Sequence, residues 1–155
     1  MNKDIHQEEI DMALQVVLEF VERMNAWETK MYYHSRIKNN MFVKAEHENK
    51  FKGLNDDDLI NEYYSIIEDM CTKKKRVYGG HPTKYGKPPT YSGISIDAII
   101  DSLFVKEDRI EIDTKGGCFP DQEYKFVLFK RKGKWLIDNL KTRVGNKNEF
   151  RQTLI

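Results

Sequence analysis

An aspartate in an apolar run near the end of the chain, Asp138, is the side chain best suited to acid–base chemistry. It belongs to KWLIDNLK, residues 134–141, where strand alternation would place it on the same face as Leu136 and Leu140. A carboxyl group between leucines could act as a general base in a pocket. The alternative is a structural aspartate, bonded to backbone or paired with an arginine such as Arg143. We favour the structural role because the sequence offers no second catalytic group.

Histidine and cysteine could supply a metal site or a nucleophile, but their spacing predicts neither. Ligand patterns such as HExxH are absent around the four histidines, which are His6, His34, His47 and His81. Cys71 falls on the apolar side of a predicted helix and is expected to be a buried, inert thiol. Cys118 lies in a loop without a neighbour that would activate it. No phosphate-binding glycine pattern occurs, so we expect no metal, no catalytic residue and no cofactor.

The stretch YGGHPTKYGKPPTYSG, residues 78–93, is the best candidate for contacting a partner. Its glycines and prolines exclude a regular element, and connections of this length are often functional. Tyr78, Tyr85 and Tyr91 are spaced along it. Tyrosines give large contact areas, and prolines reduce the ordering cost of binding. The sequence predicts equally well that these tyrosines only cover the edge of a sheet, so both interpretations stay open.

Composition and charge narrow the classes of partner. The 155 residues are 39% hydrophobic and 33% charged, which predicts one domain, residues 1–155, with a single core. The formal net charge of +1 provides no overall field that would attract nucleic acid or an anionic membrane. No apolar run approaches the ~20 residues needed to span a bilayer. Two cysteines and a polar N-terminus without a signal segment predict a cytoplasmic protein.

The first half of the chain is predicted to be helical. Apolar residues recur at helical spacing from Ile10 to Met31, and we expect a break near residues 38–40. Beyond the break, a weaker helical face includes Phe42. A clear helix then follows Asn55, which can cap it, with three aspartates in its first turn. We interpret the basic residues 73–76 as helix-end cations rather than as a nucleic-acid site.

Strands follow in the second half. Residues 98–105 and 110–114 predict a hairpin, and residues 126–129 and 135–140 predict another. The second hairpin is expected to turn through three residues, 131–133, and to lie in the middle of the sheet, because it is apolar on both faces. The tail EFRQTLI, residues 149–155, could add an edge strand. Helices followed by an antiparallel sheet predict an α+β fold.

Two short phrases, set in this order of elements, resemble a known superfamily. They are MNAWE, residues 24–28, in the long first helix, and WLID, residues 135–138, in the last hairpin. The chain resembles the nuclear transport factor 2-like fold, in which helices pack on a cone-like, curved antiparallel sheet. Within it, the chain is most similar to bacterial immunity proteins of polymorphic toxin systems. The second phrase is typical of the fold, whereas the first is more specific to these proteins.

The resemblance implies a non-enzymatic protein that binds and neutralises a cognate toxin domain. The competing hypothesis is a small-molecule enzyme of the isomerase or dehydratase type, because enzymes of this fold use pocket acids and Asp138 could be one. It requires a ligand-sized cavity with Asp138 facing inward. A third hypothesis is a scaffold subunit that forms a homodimer through its open sheet face.

Overall fold

A computed structural model of the chain describes residues 2–74, 89–117, 120–145 and 148–153. Three helices come first: α1 (Asn2–Lys38), α2 (Ala45–Phe51) and α3 (Asp56–Met70). A short 3₁₀ turn (Ile96–Ala98) leads into five strands, which are β1 (Ile99–Lys106), β2 (Arg109–Lys115), β3 (Gln122–Arg131), β4 (Lys134–Val144) and β5 (Arg151–Gln152). The prediction of an α+β fold is confirmed.

The break after α1 lies where the asparagines predict it. Asn40 adopts a left-handed conformation with φ of 55°, and the N–H of Met41 bonds to the carbonyl of Arg36 at 2.8 Å. The N–H of Asn40 bonds to the carbonyl of Ile37 at 3.1 Å, which completes a Schellman motif. This motif turns the chain away from the helix axis. The expectation that Phe42 continues a helical face is therefore wrong, since α2 begins only at Ala45.

Helix α3 is capped and packs against α1. The side chain of Asn55 accepts a hydrogen bond from the N–H of Asp58 at 2.8 Å, as the sequence predicts. The indole N–H of Trp27 donates to the carbonyl of Leu59 at 2.8 Å, and Arg23 contacts Asp69. These two bonds fix the orientation of α3 along α1.

The five strands form one antiparallel sheet in the order β1-β2-β3-β4-β5. The sheet is open, and β1 and the two-residue β5 form its edges. The predicted hairpin of β3 and β4 pairs over its full length, and β3 is the central strand. The turn between them differs from the prediction: Arg131 pairs with Lys134, so the loop has two residues. Both loop residues, Lys132 and Gly133, have positive φ, which matches the right-handed twist of the flanking strands.

A β-bulge in β4 changes which side chains share a face. Val127 pairs with Asn139 and Leu128 pairs with Ile137, so Asp138 is the extra residue. Ile137 and Leu140 are consequently both buried in the core, although strict alternation would separate them. The prediction that Asp138 shares a face with Leu140 is wrong for this reason.

The outer face of the sheet is covered by long charged side chains rather than by helices. The guanidinium of Arg143 binds the carboxylate of Glu123 at 2.5 Å. The ring of Phe150 lies 4.2 Å from the guanidinium carbon of Arg143 and 4.9 Å from Nζ of Lys125. Beneath this layer Val127 is buried, which explains how a strand apolar on both faces is accommodated.

The start of α1 is fastened to the β3–β4 hairpin by Glu9. Its carboxylate accepts hydrogen bonds from Nζ of Lys130 at 2.8 Å and from the indole N–H of Trp135 at 2.6 Å. The bond from Lys130 holds the pKa of Glu9 below its ordinary value of 4.5, and the Trp135 bond adds to this effect while burial opposes it.

We therefore expect Glu9→Gln to change how stability depends on pH. A lowered pKa stabilises the fold above the pKa of the unfolded chain, and that contribution is lost as pH falls through the folded pKa. The difference in unfolding free energy between wild type and Glu9→Gln should shrink as pH falls from about 6 to about 3. Urea denaturation at each pH measures it, with Glu8→Gln on the neighbouring exposed residue as control. A difference that does not vary with pH would contradict the assignment.

Candidate functional site

Aromatic side chains fill the space between α1 and the sheet. The ring of Phe20 on α1 lies 5.6 Å from Tyr91 and 6.3 Å from Phe126 on β3, measured between centroids. Tyr91 in turn lies 5.4 Å from Tyr124. These distances are those of packed aromatic pairs. In the described part of the chain, tilted and edge-to-face rings therefore fill the space between α1 and β3, within a core that is otherwise largely aliphatic.

Tyr91 belongs to this core rather than to the surface. Only 2% of the residue is exposed, and burial raises its pKa well above 10, with the charges of Tyr124 and Glu28 acting in the same direction. A buried tyrosine contributes to packing, so the candidate contact Tyr91 is placed where a partner could not reach it without unfolding the segment. The other two candidates, Tyr78 and Tyr85, lie outside the described residues.

Asp138, the candidate pocket acid, contacts the segment that leaves α3. It accepts a hydrogen bond from the hydroxyl of Thr72 at 2.7 Å and lies 3.1 Å from Nζ of Lys74. The N–H of Thr72 also bonds to the carbonyl of Ile137 at 2.9 Å, beside the bulge. Arg143, the partner suggested by the sequence, binds Glu123 instead. Asp138 thus fastens residues 72–74 to β4.

A carboxylate that sequence reasoning did not single out, Glu28, lies in the interior. Only 1% of it is exposed, and it accepts hydrogen bonds from both the backbone N–H and the hydroxyl of Thr90. The neighbouring Asn25 donates to the carbonyl of Tyr91 at 3.3 Å. One signal in the sequence could have found it, because Glu28 lies four and seven residues after Met24 and Val21 of the apolar stripe of α1.

The described histidines make structural contacts. His6 stacks on Phe104 at 4.0 Å, and His47 stacks on Tyr33 at 4.6 Å. His34 contacts Asp56, whose pKa is lowered by hydrogen bonds from Lys38 and then from His34. His81 lies outside the described residues. Within the described ranges, no group of three or more His, Cys, Asp or Glu side chains could hold a metal ion, and no helix could cross a membrane.

The clefts on the surface of the described residues include one at the hairpin end and one at the corner between helices. The hairpin-end cleft, of about 420 Å³, lies between the start of α1 and the two hairpin turns, and its lining includes Ile5, Glu9, Phe104, Asp108 and Lys130. The helix-corner cleft, of about 210 Å³, lies where α1 gives way to α2 and is lined by Tyr32, Tyr33, Arg36, Phe42, Val43, Lys44 and His47. Aromatic and cationic groups dominate the second cleft, a composition typical of protein interfaces.

The sequence was compared with models of known protein families. A family model described as "NTF2 fold immunity protein" matches residues 12–152, which include almost every described element. This chain belongs to the NTF2-fold immunity protein family. Neither the comparison with curated proteins nor that with solved structures finds a similar protein.

The structure shows what the MNAWE phrase, residues 24–28, does in this member of the immunity protein family. Met24 and Trp27 enter the core, and Trp27 also binds α3. Asn25 and Glu28 hold residues 90 and 91, which precede the 3₁₀ turn and β1. The phrase that suggested the family therefore joins three separate parts of the fold.

We expect Glu28→Gln to destabilise this immunity protein by about 2 kcal/mol, because the two donors of Thr90 bond to different carboxylate oxygens and glutamine replaces one of these with an NH2 group that cannot accept. Chemical denaturation measures the loss. Glu22→Gln, on the exposed side of the same helix, should change stability by less than about 0.5 kcal/mol. Thr90→Val provides the second arm of a double-mutant cycle, with an expected coupling of about 1 kcal/mol. A coupling of zero would show that the pair contributes nothing.

Proposed function

We propose that this chain is a non-enzymatic immunity protein that binds a cognate toxin domain in the cytoplasm and blocks its activity. The observation that carries the proposal is the family match over residues 12–152. The proposal includes neither a cofactor nor a nucleic acid or membrane partner. A toxin made by the cell itself, or delivered by a neighbour, would be the target.

The packing of the interior supports binding over catalysis. An isomerase or dehydratase would need a chamber for its substrate, whereas Phe20, Tyr91, Tyr124 and Phe126 occupy that space with one another. The candidate base Asp138 is engaged by Thr72 and Lys74 outside this ring cluster. A carboxylate that does lie inside, Glu28, is used to hold Thr90.

A rigid body with a packed interior inhibits by its outer surface. It can cover the active site of a toxin by shape and charge complementarity, and its rigidity keeps the ordering cost of binding small. Tyr78 and Tyr85 remain proposed contacts, and Tyr91 would act indirectly by anchoring the end of their loop. A homodimer through the sheet remains a prediction.

Co-expression with the toxin domain encoded beside this chain tests the proposal. We expect cells that produce only the toxin to die. Cells that also make this chain, at an equal or higher level, should survive. A purified complex of the two proteins should form with a dissociation constant in the nanomolar range, as for other tight specific pairs. Equal killing with and without the chain would overturn the proposal.

A further inference from the structure

Phe42 is exposed to an unusual degree for a large apolar residue. It is 80% exposed, the highest value among the large hydrophobic residues of the described part of the chain, and Met41 beside it is 52% exposed. Single exposed apolar side chains are common on protein surfaces. What distinguishes Phe42 is that its backbone is held rigidly and that it borders the helix-corner cleft.

The backbone of Phe42 is held from two directions. Before it, the Schellman motif at Asn40 and Met41 fixes the end of α1. The guanidinium of Arg36 then reaches forward, and its Nε and Nη2 donate to the carbonyl of Phe42 at 3.1 and 2.9 Å. After it, the N–H groups of His47 and Glu48 bond to the carbonyl of Lys44 and start α2. A residue whose backbone is fixed in this way loses little backbone freedom when a partner binds it.

The floor beneath Phe42 is a stack of aromatic rings. Tyr33 on α1 lies between His47 and Phe51 of α2, with ring centroids 4.6 and 4.8 Å away and interplanar angles of 21° and 8°. This stack joins α2 to α1 independently of the sheet. Removing Phe42 should therefore leave the scaffold beneath it intact.

The charges around the helix-corner cleft are mostly positive. Residues 36–52 contain five lysines or arginines and two glutamates, and one of these cations, Lys38, is paired with Asp56 at 2.6 Å. Arg36 and Lys44 line the cleft itself. The acids on α2 are Glu46, whose carboxylate lies 3.7 Å from Nε2 of His47, and Glu48. In the described structure the Nη1 group of Arg36 makes no hydrogen bond, so it can meet a carboxylate from outside.

We propose that the helix-corner cleft is where this protein contacts its toxin, with Phe42 inserting into an apolar pocket of the toxin that is surrounded by carboxylates. The inference rests on the proposed function and adds the contact surface and the chemistry of the partner. Exposed aromatic anchors flanked by arginine are typical of residues that dominate binding energy. Cations around the anchor steer an acidic partner and disfavour a basic one.

Charge also favours an acidic partner over a second copy of this chain. A two-fold interface would place the positive surface against itself, and like charges facing each other are repelled. The hairpin-end cleft is a weaker candidate, because Glu9 and Lys130 within it already bind each other and His6 covers Phe104. Its lining contains both cations and carboxylates, so a partner of one charge sign would not be complementary to it.

The test measures binding of the toxin domain encoded beside this chain, purified in an inactivated form, to the full-length protein and four variants. Phe42→Ala should weaken binding about 30-fold or more, as removal of a central anchor does. Leu103→Ala, an equally drastic truncation of a 54% exposed residue on β1, is the matched control and should change binding less than about 3-fold. Lys44→Glu should weaken binding, and the loss should diminish at high salt, whereas Lys134→Glu at the start of β4 should not weaken binding.

The outcomes separate this inference from the proposed function. All variants should unfold at the wild-type denaturant concentration, since the changed side chains are exposed. If wild type binds and both Phe42→Ala and Lys44→Glu bind equally well, the contact surface is elsewhere and the inference fails, while the proposed function stands. If only Leu103→Ala loses toxin binding, the interface lies on β1 and the inference also fails. If wild type itself neither binds nor protects, both fail. Sedimentation that shows a dimer dissociated by Phe42→Ala would identify a second copy as the occupant and overturn the inference.

Discussion

The structure depends on a carboxylate buried under the end of a loop. Glu28 is withdrawn from water on α1 and receives the backbone N–H and the hydroxyl of Thr90. Burying a charged group without partners would cost several kcal/mol. The chain between α3 and β1 is therefore constrained to return at Thr90, where it satisfies this group. Tyr91 is then delivered into the space between α1 and the sheet, where it packs on Phe20 and Tyr124.

This arrangement decides where function can reside. A fold that packs helices on one face of an open sheet can leave a chamber between the layers, and such a chamber suits a small substrate. In the described part of this chain, the rings delivered by β3 and by the Thr90 segment occupy that position. Asp138 and Glu9 likewise hold neighbouring segments together. The interior is filled by packing contacts, and our proposal therefore assigns recognition of a partner to the outer surface, in keeping with membership of an immunity protein family.

Periodicity in the sequence was sufficient to predict the elements but not their finer geometry. The helical stripe of α1, the cap at Asn55 and the two hairpins follow from local patterns, which is why the α+β class could be predicted. The bulge at Asp138 could not be predicted in this way. It arises from the pairing of β4 with β3, which leaves Asp138 as an extra residue and places Leu140 on the core face. The role of Glu28 depends on Thr90, 62 residues later, and long-range bonds of this kind leave no local pattern. Phe42 was misplaced because the left-handed turn at Asn40 removes it from the helix.

Hydrogen exchange of the free and the toxin-bound protein tests most directly the claim that the outside binds while the inside only supports. We expect slower exchange on binding at surface amides, with those of residues 39–44 among them. The amides of residues 90–94 and of the central strand β3 should exchange equally in both states. Faster exchange in these buried segments on binding would show that the ring-filled interior opens to the partner, and the account would then be wrong.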